Sequence, residues 1–176
     1  MFLELLQKRR SIRQFQQKTV EKEKIDYLVE AMLRSPSSRS LNPWHFVVVD
    51  DKEILAKLAS AKPHGAAFLK NAPLAIVVCA DPEKCDVWVE DCSIATLIVH
   101  LAAADLGLGS CWVQLRLRQH ESGCSASEYT ARLLGLEEGM EVEAVVAIGY
   151  PAEEKTGHER GKLLLERVSF NHFGSR

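Results

Sequence analysis

The chain has 176 residues, 47% hydrophobic and 26% charged, which suits a single domain with an ordinary core. Its formal net charge of −2 argues against a nucleic-acid partner or an anionic membrane, so any anion must be held by a local cluster of cations. The five cysteines, Cys79, Cys85, Cys92, Cys111 and Cys124, form no C-x-x-C pair and no metal-ligand spacing, which points to reduced, mostly buried thiols.

Met1–Gln7 reads as a short helix. Its apolar start comes before Lys8-Arg9-Arg10, the reverse of a secretory leader, and a cytoplasmic setting is expected. Thr19 is placed to cap a second helix carrying Ile25, Leu28, Val29, Met32 and Leu33, which stops at Pro36. Trp44–Asp50 reads as a strand, and Asp50 with Glu53 as a capping box for the helix of Ile54, Leu55 and Leu58. Leu74–Ala80 is apolar throughout, as in a strand buried on both faces. A long helix is expected from about Glu83 to Leu106, stopping at Gly107. It is apolar on more than one stripe, so it either runs through the centre of the domain or also packs on a second subunit. Ser110–Leu115 is the next strand, Ser125 and Glu128 box-cap a helix ending near Gly135, and Glu141–Tyr150 is the last strong strand. Its Val142, Ala144, Val146 and Ile148 are expected on one face. Interspersed helices and strands imply a layered α/β or α+β sandwich.

Four segments could carry chemistry. Arg9, Arg10, Ser11 and Arg13 crowd the end of the first helix; they form either a fork set for phosphate or a solvated basic turn. Ser35–Trp44 is a hydroxyl-rich loop that either lies against a flat ligand or simply turns, with Trp44 in the core. Gly107-Leu108-Gly109-Ser110-Cys111-Trp112 lacks the sixth-position glycine of a dinucleotide loop and enters a strand where that loop leaves one. The tail from Lys155 to Lys162 carries His158, Arg160 and Lys162, which gain meaning only if they return to the first cluster. His45, His100 and His120 read as structural or exposed.

Taken together and in order, RRSIRQF at 9–15, SPSS with Pro43-Trp44 and a strand, the stretch at 71–78 and GLGSCWV at 107–113 resemble the nitroreductase family of FMN enzymes, of which this is a compact form. The resemblance implies an α+β fold: an αβα sandwich with a mainly antiparallel central sheet, one FMN-binding domain over 1–176, and an intertwined homodimer with FMN at the interface. It implies that Arg9, Arg10, Ser11 and Arg13 hold the FMN phosphate and ribityl chain, joined by Arg160 and Lys162. Pro36, Ser37, Ser38 and Ser40 would approach the flavin from the other subunit. Trp112, Val113 and Gln114 would line the isoalloxazine, with the Gln114 main-chain N–H near N5, and Gly65 or His64 would touch the pyrimidine edge. The implied activity is two-electron, ping-pong reduction of nitroaromatics, quinones or similar acceptors by NADH or NADPH, with the chemistry at flavin N5, no catalytic side chain and no metal. The alternatives are a flavin-binding or sensor protein without turnover, or dehalogenation or flavin fragmentation on the same fold. Where many members have N-x-Q-P-W, this chain has Ser40-Leu41-Asn42-Pro43-Trp44.

Overall fold

The computed structural model describes residues 1–175. Two apolar runs form its centre: β2 (Leu74–Ala80), with every residue buried, and β4 (Glu141–Gly149), buried after its first residue. No polar face remains on either, so each must be covered on both sides by other elements. The flanking strands are β1 (Trp44–Val49) and β3 (Gly109–Gln114), in the order β1-β2-β4-β3, with all pairs antiparallel.

Helices cover both faces. Leu74, Ile76 and Val78 of β2, with Val146 and Ile148 of β4, pack with α2 (Lys22–Leu33) and α4 (Trp88–Asp105) through Leu28, Met32, Cys92 and Val99. On the other face, Ala75, Val77, Cys79, Val145 and Ala147 pack with α3 (Lys52–Leu58), α5 (Ala126–Leu134) and a 3-10 turn at Ala67–Asn71. Fully buried side chains such as Leu28, Leu55, Leu58 and Ile76 each contribute about 1.5–3 kcal/mol. A short α1 (Phe2–Lys8) precedes these layers and has no buried residue.

Several expected boundaries move, each for a local reason. Helix α2 starts at Lys22 with Glu21 as its N-cap residue; Thr19 does not cap it, and Glu21 is instead held by Tyr150, whose hydroxyl donates to Oε2 at 2.6 Å. The α3 cap is Asp51 and not Asp50: its Oδ1 accepts from the N–H groups of Glu53 and Ile54, both at 2.9 Å. Helix α4 begins at Trp88 and not near Glu83, because Asp81 takes the Glu83 N–H at 2.9 Å and turns the chain first. Ser125 does cap α5, accepting from Glu128 N–H at 3.0 Å, and Gly135 closes it in the left-handed region at φ 66°.

The expectation of one uniform face on β4 fails at its start. The β2–β4 register slips between Val78 and Cys79: Val78 faces Ala144, but Cys79 faces Val142. Glu143 is the extra residue of this β-bulge. Beyond it, Val142 joins the α3/α5 core, while Glu143 points to Ser93 of α4.

All five cysteines are free, four of them buried and Cys124 half-buried. Burial pushes the Cys79 thiol up to about 11. No helix among the described residues is long and apolar enough to cross a membrane.

Candidate functional site: the open edge of β3

Strand β3 is the sheet's edge, and residues 11–16 run beside it. Ser11 bridges Ser110 in parallel, and Ile12 N–H donates to the Ser110 carbonyl at 2.9 Å. The pairing needs a glycine: a Cβ on Gly109 would stand 2.8 Å from Cβ and Cγ2 of Ile12. Farther on, Gln16 N–H donates to Tyr150 O and Ala152 N–H to Gln14 O, each at 2.9 Å. The arginine segment is thus fixed to the sheet by its own backbone.

Since Ser110 turns its carbonyl outward, alternation along the strand turns the N–H and C=O of Trp112 and Gln114 outward as well. Neither N–H has a backbone acceptor outside the sheet among the described residues. Val113 pairs inward with Val145, and its side chain is buried in the core; its N–H and C=O face β4 and not the open edge.

The tail after β4 returns to the same place. Glu153 Oε1 accepts from Arg13 N–H at 2.6 Å and Gln14 N–H at 3.2 Å, which, with Lys155, holds its carboxyl below the ordinary carboxylate range. Lys155 donates to Ser11 O at 2.8 Å and Glu153 at 2.9 Å, and Arg10 donates to Thr156 O. Between these segments and the α4–β3 turn lies a cavity of about 450 Å³, whose wall includes Arg9, Arg10, Ser110 and Lys155. Its wall carries the cations Lys8, Arg9, Arg10 and Lys155 against the carboxylates Glu153 and Glu154.

Arg13 leans over the Phe68 ring, 5.9 Å from its centroid. Burial raises the Cys111 thiol, and the charges of Arg13 and Lys155 oppose that rise. Lys62, unremarked in the sequence, reaches the same edge. Its half-buried amine is pushed down by burial and by the like charge of Arg118, with Cys111 acting in the opposite sense. Gly65, at φ 78°, lies beside it, with room for a Cβ 3.9 Å from Nζ of Lys62. A lone lysine in a loop carries no sequence pattern; only packing reveals that it is drawn in. Arg160 and Lys162 form an exposed 3-10 turn, Lys162 pairs with Glu159 at 3.2 Å, and neither lines the cavity.

The serine loop lies elsewhere. Ser38 N–H donates to buried Asp91 Oδ1 at 2.9 Å, Arg39 pairs with Asp86, and Lys84 donates to Asn42 O at 3.2 Å. Ser37 Oγ accepts from Asn42 N–H at 3.0 Å. Arg39, Ser40 and Asn42 all take left-handed φ values near 50°, an arrangement costing each of them on the order of 1 kcal/mol. Trp44 packs on the α2/α4 core. This loop adjoins the start of α4, whereas the cavity adjoins its end at Ala104. The helix climbs about 20 Å between Asp91 and Ala104.

The Nitroreductase family model matches residues 6–63 and 59–150. The chain belongs to the nitroreductase family. An FMN-dependent nitroreductase from Clostridium difficile R20291 superposes with a TM-score of 0.95 at 46% identity, covering 97% of this chain and 99% of that one. A protein of Archaeoglobus fulgidus, assigned as an NADH dehydrogenase/NAD(P)H nitroreductase, is 40% identical over 161 residues, 89% of each chain. A nitroreductase-class structure from Parabacteroides distasonis superposes at a TM-score of 0.88 with 34% identity over 98% of both chains. The αβα sandwich with an antiparallel sheet is therefore the family's fold.

Proposed function

We propose that this nitroreductase-family chain is an FMN-dependent oxidoreductase that works as a homodimer, takes electrons from NADH or NADPH and reduces nitroaromatics, quinones or similar flat acceptors. The observation that carries the reading is the separation along α4. Cations and outward N–H groups collect at β3 by one end of the helix, and the hydroxyl loop by the other, about 20 Å away. One flat ligand meets both sets only if a second copy supplies the loop.

The residues fit a phosphorylated flavin. A dianion is costly to bury unpaired, and Arg9, Arg10 and Lys155 offer charge-assisted donors on the wall of a cavity of about 450 Å³, with Ser11 and Arg13 next to them in the chain. Arg160 and Lys162 complete that set in the assembled dimer. The Gln114 N–H faces the ring edge, Trp112 borders it, and Gly65 and Lys62 stand at its polar end. Pro36, Ser37, Ser38 and Ser40 come from the partner. Bound FMN supplies the hydride and electron chemistry; the protein binds and orients it.

The dimer reading also rests on apolar exposure. Ile94 and Leu97 of α4 are open, as are Leu163, Leu164, Leu165, Val168, Phe170 and Phe173 of the tail, more apolar surface than a monomer usually presents. Five free thiols suit a cytoplasmic setting.

The purified protein should be yellow, release FMN on heating, sediment as a dimer and oxidise NADH in the presence of menadione. Arg13→Ala should raise the FMN dissociation constant about tenfold or more. A colourless protein that binds no FMN in a fluorescence titration overturns the reading.

A further inference from the structure

Among the buried ionisable groups, Glu143 stands apart. Only 3% of it is exposed. Its Oε1 accepts from Ser93 Oγ at 3.2 Å, but its buried Oε2 has no partner. It also occupies the β4 bulge. In unbroken alternation Glu143 would share the α3/α5 face with Val145; the extra residue turns it toward α4. Bulges of this kind re-aim side chains, often next to active sites. The cost of burying a half-satisfied carboxyl is considerable, and the sheet is bent to place it there.

What it is aimed at lies at the end of β3. Leu115 N–H and Arg116 N–H both donate to the Glu143 carbonyl, at 3.1 and 3.0 Å. The Gln114 carboxamide approaches the carboxyl group and favours its charged form, without closing a hydrogen bond to Oε2. That carboxamide is already committed on two sides. Its Oε1 accepts from the Trp112 indole N–H at 2.8 Å, and its Nε2 donates to Arg116 O at 3.2 Å. Trp112 in turn lies nearly parallel to His100, with ring centroids 6.4 Å apart. A chain of contacts therefore runs from Glu143 through Gln114 to Trp112, along the strand whose outer edge is open.

We propose that Glu143 is a positioning residue for this edge: its carboxyl group sits beneath Gln114, and its protonation sets where the Gln114 carboxamide and the Trp112 indole stand. The proposal rests on the FMN reading only in what those two residues then face. When Glu143 is neutral, its hydroxyl is a donor and Gln114 stays on Trp112. When it ionises, the unpartnered Oε2 draws the second Gln114 N–H and pulls the carboxamide from the indole. The groups facing it set the balance. From α4 these are Glu90, Ser93 and Cys92; from β3 and the residues after it, Gln114 and Arg116; from β2, Cys79 lies opposite Val142. Burial disfavours its charge and Glu90 reinforces that, while Ser93, Arg116 and Gln114 oppose it.

The test follows the Trp112 indole N–H by nitrogen–proton NMR on the protein as purified, between about pH 5.5 and 9, with the signal assigned through Trp112→Phe. His100 is pushed down to about 4, so it is already neutral throughout that window. The Trp112 signal should titrate with a midpoint above the ordinary carboxylate range. Glu143→Gln should hold it near its low-pH position and abolish the titration, and Ser93→Ala should raise the midpoint. FMN affinity should fall several-fold from pH 6 to 9 in the natural protein and stay flat in Glu143→Gln. A Trp112 signal that does not move in the natural protein, or moves equally in Glu143→Gln, overturns the proposal. Failure of every form to bind FMN would instead reject the flavin reading, and the indole titration would still decide the role of Glu143.

Discussion

The two ends of α4 carry the two halves of the candidate site, and they are built by different means. At the C-terminal end the arginine segment is tied to β3 and β4 by backbone hydrogen bonds, with Gly109 permitting contact with Ile12. At the N-terminal end the serine loop hangs on side chains, chiefly buried Asp91, and three of its non-glycine residues are left-handed. A backbone ladder tolerates most side-chain changes, except where two backbones approach as closely as at Gly109. A side-chain tether can be changed by one substitution, and it holds strain that a second subunit or a ligand can exploit.

That contrast can be broken from either side. The largest expected effect is acid weakening of the C-terminal end. His100 is buried with Nδ1 2.7 Å from Ser110 Oγ, and burial, then Arg9, pushes its pKa down from 6.5 to about 4. A depressed folded-state pKa contributes stability that is present above pH 6.5 and is lost as pH falls toward 4, up to about 3 kcal/mol. His100→Gln should flatten urea-measured stability across that interval. Next, Gly109→Val should cost about 2–3 kcal/mol, because its Cβ meets Ile12 at 2.8 Å. Hydrogen exchange should then rise in residues 9–16 and not in the serine loop. Asp91→Ala reverses the pattern: it strands the Ser38 N–H and should cost about 1–2 kcal/mol, with faster exchange at 37–42. The smallest effect is Ser40→Gly, at φ 53°, expected to relieve about 0.5–1 kcal/mol of strain by thermal unfolding, set against glycine's greater chain entropy. If Gly109→Val and Asp91→Ala loosened the same residues, the two ends would be one unit and the comparison would fail.

Much of this was legible in the residues. The apolar run Leu74–Ala80 reads as a strand buried on both faces, and it is one; Glu141–Tyr150 reads as a strand, and its burial on both faces came from the packing. Ser125 and Gly135 mark both ends of α5. The boundaries that moved did so where neighbouring residues of one type compete: Asp50 against Asp51, or the turn at Asp81 against an earlier start for α4.

Composition and pattern by themselves determined which segments are strands and picked out four candidate stretches for chemistry, because burial and propensity act over a few neighbouring residues. Tertiary structure alone decided that Lys62 and Lys155 join the arginines, that Val113 turns inward and that a one-residue slip in β4 delivers Glu143 to α4. These outcomes depend on register and on contacts between residues far apart in the chain, and no local pattern encodes either.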